Sequence, residues 1–287
     1  MLKIVVKNFK LFRTLLKYNF IRKFLIFDIR SLESLNIVSD YAFAISVFST
    51  ESSHGKTTYK DRFLDMDSVT LKYLKQQDKI VIHDVGVSSG ITSCDLLKKV
   101  KEIDKNFHFL ISDKYLNFYF SGNNVVRIYN SEKKLLFGYI FGIFADKKVS
   151  KYFPLTKYLF YLLKAIPYPK IFSALQLFDY ETKQFLNKCE LNYVEYDLFG
   201  QNFLENISFV RCMNVLNANS WFSNQQIIDG VFNLKSSLIE GGILLIGRTD
   251  DCTGKNNASY FKKINGKLVH LEDFNLGSDV KNIIKNI

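Results

Sequence analysis

The sequence predicts an α/β protein with a doubly wound, mostly parallel sheet, helices on both faces and an inserted β/α cap. Short apolar, β-branched runs alternate with helical patterns from residue 79 onward. A glycine-containing loop joins the first such run to a helix. Residues 115–189 differ in character and interrupt this alternation. An alternation of strand and helix is typical of a parallel sheet, and a long interruption is typical of an inserted subdomain.

The first part of the pattern is a single strand–helix–strand unit. Lys79–His83 is a β-branched apolar run, and residues 84–90 form the loop after it. Ile91–Ile103 has a helical pattern, and Phe107–Ile111 is a second apolar run. This order predicts two parallel strands joined by a helix.

The C-terminal half continues the alternation. Leu191–Glu195 and Ile207–Arg211 are predicted as the third and fourth strands, and Gly242–Gly247 as the fifth. The helix Asn224–Leu238 precedes the fifth strand. The last predicted elements are the two strands of a hairpin around Asn265-Gly266, over 260–263 and 267–273. An Asn-Gly pair between alternating apolar runs is a strong hairpin signal.

The cap insertion is predicted over residues 115–189. Tyr115–Phe120, Val125–Tyr129 and Leu135–Phe144 have strand patterns. Lys151–Phe178 is apolar and aromatic, and we predict two short helices there, separated by Pro167-Tyr168-Pro169. We therefore divide the chain into an N-terminal helical region, 1–77, and one α/β domain, 78–287, that carries the insertion.

Composition excludes several classes of protein. The chain has 287 residues, of which 47% are hydrophobic and 23% charged, so it can bury a full core. Its four cysteines are scattered, without a C-x-x-C pair or a histidine at metal-ligand spacing. We therefore expect no disulfide framework and no metal site, and a reducing, cytoplasmic location. The sequence contains no run of 18 apolar residues, so no transmembrane helix is predicted.

The net charge of +11 is concentrated at the N-terminus. Residues 1–27 hold seven of the basic residues and no acid. Lys3, Lys7 and Lys10 begin a basic stripe at helical spacing, and Val5 and Phe9 belong to an apolar one. Such a helix packs on the protein's own core, or binds a membrane surface or a partner, or serves in targeting.

Residues 151–178 are basic and aromatic as well, so they are a second candidate surface for a membrane or a protein partner. We expect peripheral membrane association, if there is any, through these two segments. Nucleic acid is disfavoured as a partner, because the rest of the chain is only mildly basic and carries no RNA-binding motif.

The loop Asp84-Val85-Gly86-Val87-Ser88-Ser89-Gly90 is the candidate ligand site. Glycines let a backbone approach a ligand closely, and ligands of open α/β sheets bind beyond the carboxyl ends of the strands. The dinucleotide fingerprint G-x-G-x-x-G and the P-loop are both absent. An acid at position 84 would repel a pyrophosphate and would suit a cationic ligand. Asp113, which ends the second strand, can accept hydrogen bonds from the vicinal hydroxyls of a ribose.

The pattern Asp-x-Gly-x-Ser-x-Gly over residues 84–90 resembles motif I of the class I S-adenosylmethionine-dependent methyltransferases, which have a Rossmann-like fold. The segments 197–199, 208–216 and 241–250 are similar to later motifs of one group of that family, the chemotaxis-receptor glutamate methyltransferases. Cys212, Asn214 and Val215 match that group, whereas Met213 replaces its arginine. The similarity covers about residues 78–113 and 190–250.

The resemblance implies S-adenosylmethionine as the cofactor and transfer of its methyl group to an O, N or S nucleophile of a small-molecule, lipid or protein acceptor. It implies the following roles. Asp84, Gly86, Val87, Ser88 and Gly90 would hold the methionine part, and Arg62 would pair with its carboxylate. Asp113 would hold the ribose, and Asp197 and Leu198 would border the adenine. Cys212, Asn214 and Val215 would face the methyl group.

Two other functions stay open at this point. One is a non-catalytic protein of the same fold that holds a partner or a membrane surface. The other is an NAD(P)-dependent oxidoreductase, since dinucleotide enzymes also bind ribose with a carboxylate. Asp250, Asp251 and Tyr59 are candidate general bases, and the sequence singles out none of them as catalytic.

Overall fold

The structure is a computed structural model that describes residues 3–18, 20, 24–46, 58–103, 106–147, 155–200, 204–218 and 222–285. These residues form two compact units. Unit 1 comprises Met1–Tyr59 and Tyr115–Tyr180, and unit 2 comprises Lys60–Lys114 and Glu181–Ile287.

Strands and helices alternate along most of the described chain. The strands are β1 Ile4–Val6, β2 Leu25–Phe27, β3 Ile80–Val85, β4 Phe107–Asp113, β5 Asn117–Ser121, β6 Val125–Tyr129, β7 Leu135–Ile140, β8 Ile143–Asp146, β9 Ser173–Gln176, β10 Asn192–Glu195, β11 Ile207–Met213, β12 Leu238–Thr249, β13 Asn256–Ile264 and β14 Lys267–Phe274. The α-helices are α1 Phe9–Leu15, α2 Val38–Ser46, α3 Asp67–Lys75, α4 Ile91–Val100, α5 Leu155–Ala165, α6 Tyr180–Asn187, α7 Asn224–Ser237 and α8 Lys281–Lys285. A 3₁₀ helix covers Ile29–Ser34.

Unit 2 contains the predicted α/β sheet. Its strand order is β10-β4-β3-β11-β12-β13-β14. The first five strands are parallel, and β13 and β14 are added as antiparallel neighbours. Numbered along the chain, the parallel strands follow the doubly wound order 3-2-1-4-5, which reverses direction between β3 and β11. The predicted α/β class and mostly parallel sheet are confirmed.

Burial explains why these strands read as apolar runs. All seven residues of β11 are buried, as is most of β3. Strands at the centre of a parallel sheet are covered on both faces and therefore lack alternation. The last hairpin turns at Asn265 and Gly266, which have φ values of 51° and 72°. Those angles are the ones that a tight hairpin turn requires.

Unit 1 has a seven-stranded sheet of its own, in the order β2-β1-β8-β7-β6-β5-β9. The insertion supplies five of these strands, and the N-terminal region supplies β1 and β2. Ile4 in β1 pairs with Ile143 in β8. The predicted division places an N-terminal region before residue 78 and an insertion at 115–189. The compact units have other bounds, because the N-terminal region and the insertion share one sheet. Three-residue strands lack a period of their own, so local patterning cannot detect them.

Two further elements differ from prediction in unit 1. Ser173–Gln176 is the edge strand β9, where a second helix had been expected after Pro169. It pairs with β5, and a pairing partner distant in sequence outweighs local helical propensity. The segment 135–144 is two strands joined by a turn at Phe141 and Gly142, whose φ values are 48° and 78°.

The N-terminal arm packs on its own unit. Phe12 of α1 is fully buried beside Phe27, with the two ring centroids 5.4 Å apart. Phe9 and Leu16 pack against the same core. Phe9, Phe12 and Leu16 of the apolar stripe are therefore used inside unit 1, which is the first of the predicted alternatives for the arm. The cations Lys7, Lys10, Arg13 and Lys17 stay exposed.

Candidate functional site

The candidate site lies at the carboxyl ends of β3 and β11, where the strand order of unit 2 reverses. Crevices at this position are the usual ligand sites of doubly wound sheets. The loop 86–90 leaves β3 here, Asp113 ends the neighbouring strand β4, and Asn214 follows β11.

The loop depends on left-handed backbone angles at three positions. Gly86, Ser88 and Gly90 have φ values of 73°, 59° and 88°. A Cβ at Gly86 would lie 2.2 Å from Cγ2 of Val215, and one at Gly90 would lie 2.5 Å from Cγ2 of Thr182. Both glycines are therefore required by backbone conformation and by close packing.

Most amides of the loop donate within unit 2. The N–H groups of Gly86 and Val87 donate to the Ser112 carbonyl at 2.7 and 3.1 Å, and that of Gly90 donates to the Val87 carbonyl at 3.0 Å. The Ser88 amide donates to Oδ2 of Asp113 at 2.8 Å. These amides hold the loop on β4. They are not arranged to receive a pyrophosphate, unlike the loop amides of dinucleotide sites.

Asp84, which the resemblance places beside the methionine part of the cofactor, is buried and paired within unit 2. Its carboxylate accepts from Nε of Arg211 at 2.9 Å and from Nη2 of the same residue, and it also accepts from the Ser93 hydroxyl at 2.6 Å. The Asp84 and Arg211 side chains are only 5% and 2% exposed. The negative charge at position 84 is therefore neutralised inside the sheet and is unavailable to a cationic ligand.

The Arg211 side chain also donates to the Thr92 carbonyl at 3.0 Å, in the first turn of α4. Burial alone would lower the pKa of Arg211. The neighbouring Asp84 carboxylate has the larger combined effect, so the pKa is raised. The pair consequently ties β3, β11 and the start of α4 together beneath the loop.

Arg62, Asn214 and Thr249 meet at the neighbouring strand ends. Nε of Arg62 donates to Oγ1 of Thr249 at 3.1 Å. The Thr249 amide donates to Oδ1 of Asn214 at 2.8 Å, and the Asn214 amide donates to the Gly247 carbonyl. Asn214 is left-handed, with φ of 61°. This network fixes the turn that presses Val215 against Gly86, and it holds a cation beside the turn.

Cys212 and Leu198, which the resemblance places beside the ligand, are core residues. Both belong to the apolar cluster between the sheet and α7, and Cys212 is fully buried. Burial, assisted by the nearby Asp84 charge, raises the pKa of the Cys212 thiol to about 12, so it stays protonated. Leu198 packs against Gly230 of α7.

Asp197 lies at the rim of the same edge. Its Oδ2 is 2.7 Å from Nζ of Lys114, and its side chain is 41% exposed. The Tyr196 amide donates to the Asp113 carbonyl, so the residue before Asp197 is paired directly with the end of β4. Asp113 and Asp197 are thereby brought to one edge.

Two hydroxyls in the loop are buried without a hydrogen-bond partner. They are Oγ of Ser88 and Oγ of Ser89, and their lack of a partner holds for the part of the chain that the structure describes. Buried polar groups are normally paired, so these two hydroxyls are an unsatisfied feature of the packed loop.

His83 is a fully buried core residue. Its Nε2 is 2.7 Å from the Ser112 hydroxyl, and its Nδ1 has no partner among the described residues. Burial lowers the pKa of His83 to about 4, so the imidazole is neutral near pH 7.

The candidate bases gain no support as catalytic groups. Asp250 accepts from the amide and hydroxyl of Thr253, at 2.7 and 2.8 Å, and these bonds lower its pKa. A lowered pKa makes a carboxylate a weaker base. Asp251 is 88% exposed and lies 2.9 Å from Arg248. Tyr59 belongs to unit 1 rather than unit 2.

Sequence reasoning missed Arg211, Thr249 and Thr182. Arg211 carried a signal, because a cation inside an otherwise apolar strand requires a buried acid on a neighbouring strand. Thr249 and Thr182 carried none, since their contacts with the site come from elements distant in the sequence. Within the described ranges, no group of three or more His, Cys, Asp or Glu side chains could hold a metal ion. No helix in those ranges is long and apolar enough to span a bilayer.

Comparison with known proteins gives limited likenesses. No protein-family profile matches the sequence, nor does any curated protein. Among solved structures, the CurJ carbon methyltransferase matches with a TM-score of 0.36 and 13% identity over 79% of this chain and 40% of its own. The methyltransferase domain of the citrinin polyketide synthase matches with a TM-score of 0.32 and 9% identity, over 61% and 30%. The PH0226 protein from Pyrococcus horikoshii OT3 matches with a TM-score of 0.37 and 10% identity, over 79% and 80%.

This chain spans between 30% and 40% of the length of the first three solved structures it matches. At these scores the likenesses do not indicate a function. The function proposed below is based on the strand order and the site geometry of unit 2.

Proposed function

We propose that unit 2 binds S-adenosylmethionine and that the protein is a methyltransferase acting on an O, N or S nucleophile. The observation that carries this proposal is the position of the Asp113 carboxylate. It lies beside a left-handed glycine loop, at the point where the sheet order reverses, and it is oriented by the Ser88 amide at 2.8 Å.

Asp113 fits the ribose of the cofactor. Its carboxylate is half-buried at the end of β4, so it is both held in place and close to solvent. One carboxylate offers about four acceptor sites, and the Ser88 amide is one donor to it. A vicinal diol supplies two donors to such a group. Asp197, at the next strand end, extends the same rim toward the adenine.

Arg62 fits the carboxylate of the methionine part. Its guanidinium is anchored on Thr249, next to the Asn214 turn. A planar guanidinium is suited to pair with a carboxylate. Together Arg62 and Asp113 provide one cation and one anion for a zwitterionic nucleoside.

The same geometry disfavours a dinucleotide. Four loop amides donate inside unit 2, so a pyrophosphate would have to compete for donors that are already engaged. Asp113 does not discriminate between the two ligands, because dinucleotide enzymes also hold a ribose with a carboxylate. The charge argument made for Asp84 no longer applies, since Asp84 is neutralised by Arg211.

The cofactor supplies the chemistry when it is bound, in the form of a methyl group activated by a positive sulfur. The chain's own residues contribute binding and orientation, which can supply a large part of a transfer rate. Asn214 fixes the turn after β11 through Thr249, and that turn sets the position of Val215 over Gly86.

The segment 212–215 supports the architecture more than any particular acceptor. Cys212 is buried and Asn214 is bound to β12, so the residues shared with the chemotaxis-receptor enzymes shape the turn. We accordingly propose the reaction class without protein glutamate as its acceptor.

Equilibrium binding of S-adenosylhomocysteine to the full chain tests the proposed site. Asp113→Asn keeps an oxygen that can accept from the Ser88 amide, and it removes the charge that would hold the ribose. We expect binding weaker by about 1–3 kcal/mol, or roughly 5- to 150-fold. Arg62→Gln should weaken binding by a similar amount, because the carboxylate of the ligand loses its cation.

Asp229→Asn is the matched control. Asp229 is an exposed residue of α7 whose carboxylate accepts from Gln225, and it has the same charge change. It should bind the ligand as the unmodified chain does. Equal affinity of the Asp113 variant and this control would remove the ribose assignment.

A further inference from the structure

An unusually apolar surface follows one helix of unit 1. Helix α5 buries Phe160 and Leu163 against Ala145 of the sheet. Its other side and the segment after it are open to solvent. The exposed apolar residues, which we name the aromatic face, are Leu155 at 40%, Tyr158 at 61%, Tyr161 at 49%, Leu162 at 42%, Ile166 at 40%, Tyr168 at 49% and Ile171 at 82% exposure. Contiguous exposed apolar residues mark interaction surfaces.

The segment after α5 is held in place by buried groups. Nη1 of Arg127 donates to the carbonyls of Ile166 and Pro167 at 3.0 and 2.7 Å. The ring of the buried Tyr129 contacts the ring of Tyr168, with centroids 5.4 Å apart. Phe172 contacts Tyr129 in the same way at 5.3 Å. Ile166 and Tyr168 are therefore presented on a fixed backbone.

The charge on this segment has a single sign. Lys157, Lys164 and Lys170 accompany the aromatic face, and no acid occurs in the sequence from 147 to 178. Lys164 and Lys170 are exposed. Nζ of Lys157 lies 5.9 Å from the centre of the Tyr161 ring. An apolar face with only cations along it complements an apolar layer bordered by anions.

We propose that the aromatic face binds the surface of an anionic lipid membrane. Helix α5 has 11 residues and is about 16 Å long, too short to cross a bilayer, so it would lie in the interface. Tyrosines prefer the headgroup level, where the ring is in an apolar layer and the hydroxyl is hydrated. Leu162, Ile166 and Ile171 would enter the acyl boundary, and the lysines would contact the anionic headgroups.

This inference rests on unit 1 alone and does not depend on the cofactor assigned to unit 2. The N-terminal arm is a weaker candidate, because Phe12 and its neighbours are used in the core. The arm can add long-range attraction through its exposed cations.

Vesicle sedimentation of the full chain tests the proposal. Vesicles of phosphatidylcholine with about one-third phosphatidylserine are compared with vesicles of phosphatidylcholine alone. We expect binding to the anionic vesicles. Lys157→Gln/Lys164→Gln/Lys170→Gln should reduce it about 100-fold, because each lysine near an anionic surface contributes about fivefold. Ile171→Ser should reduce binding severalfold at unchanged charge.

Matched controls come from unit 2. Lys188→Gln/Lys255→Gln/Lys267→Gln removes the same charge from exposed positions. Leu276→Ser removes an apolar side chain that is 86% exposed, close to the 82% of Ile171. Neither control should reduce binding by more than about twofold. Thermal melts of all variants establish that the fold is retained.

Two results would overturn the proposal. The first is an equal loss of binding in the aromatic-face and control lysine variants, which would mean that overall charge, including the arm, accounts for binding. The second is absence of vesicle binding together with a dimer in solution that Ile171→Ser dissociates, which would make the aromatic face an interface between copies of the chain.

Discussion

Replacing Arg211 with methionine should destabilise unit 2 more than any surface charge change. The substitution keeps an apolar stem and removes the guanidinium. The Asp84 carboxylate therefore loses two donors, Nε at 2.9 Å and Nη2. Ser93 would be the remaining donor of the described contacts. The Asp84 side chain is 5% exposed, so water cannot replace the lost partner.

The expected loss is about 3–5 kcal/mol in the free energy of unfolding, which is typical when one member of a buried ion pair is removed. Arg211→Met/Asp84→Asn should recover roughly 2 kcal/mol of this loss, because a buried amide without a full set of partners costs less than an unpaired charge. This recovery distinguishes the stranded charge from lost packing.

Urea unfolding followed by circular dichroism measures these values, with hydrogen exchange of the β11 amides identifying the transition that includes unit 2. Lys72→Met is the control, since the Lys72 side chain is 57% exposed where it pairs with Glu272, and the change should cost less than about 1 kcal/mol. A loss below about 1 kcal/mol for Arg211→Met, or no recovery in the double variant, would refute the buried-pair account.

Two further predictions test the core and the loop. Burial lowers the pKa of His83 to about 4, so the unfolded chain takes up this proton first as the pH falls, and about 3 kcal/mol of stability present above pH 6.5 should be lost between pH 6.5 and 4. His83→Gln should flatten the plot of unfolding free energy against pH between pH 6.5 and 4. The control His108→Gln, at an exposed position, should leave that plot unchanged. If the His83 variant also leaves it unchanged, the burial argument is contradicted. Gly86→Ala should cost about 2–4 kcal/mol through its left-handed backbone and its 2.2 Å approach to Val215. Gly86→Ala/Val215→Ala should recover the part of this loss that comes from the clash with Val215, in the same unfolding assay. If Gly86→Ala alone causes no loss of unfolding free energy, the described packing of Val215 against Gly86 is contradicted.

The parallel core of unit 2 could be predicted from the sequence because its signals are local. The strand–loop–helix–strand unit follows from apolar runs and from Gly86 and Gly90, and the last hairpin follows from Asn265-Gly266. Each of these segments has a conformation that its own residues favour. The loop and Asp113 were likewise identified together, and the structure brings them within one hydrogen bond.

The rest depends on contacts between distant segments. The pairing of Ile4 with Ile143 joins the N-terminal region to the insertion, and three residues of strand carry too little pattern to indicate it. Asp84 and Cys212 match a cofactor motif in type and spacing, whereas their roles depend on what neighbours them in the sheet. Only the position of Arg211 across from Asp84 shows that the acid is neutralised.

Calorimetric titration of the full chain with S-adenosylhomocysteine, beside NAD under the same conditions, tests the central claim most directly. The site geometry predicts micromolar binding of S-adenosylhomocysteine, near −8 kcal/mol, and no measurable binding of NAD. Binding of NAD alone would contradict the argument from the loop amides. Binding of neither would contradict the cofactor assignment and favour a non-catalytic role for the same fold.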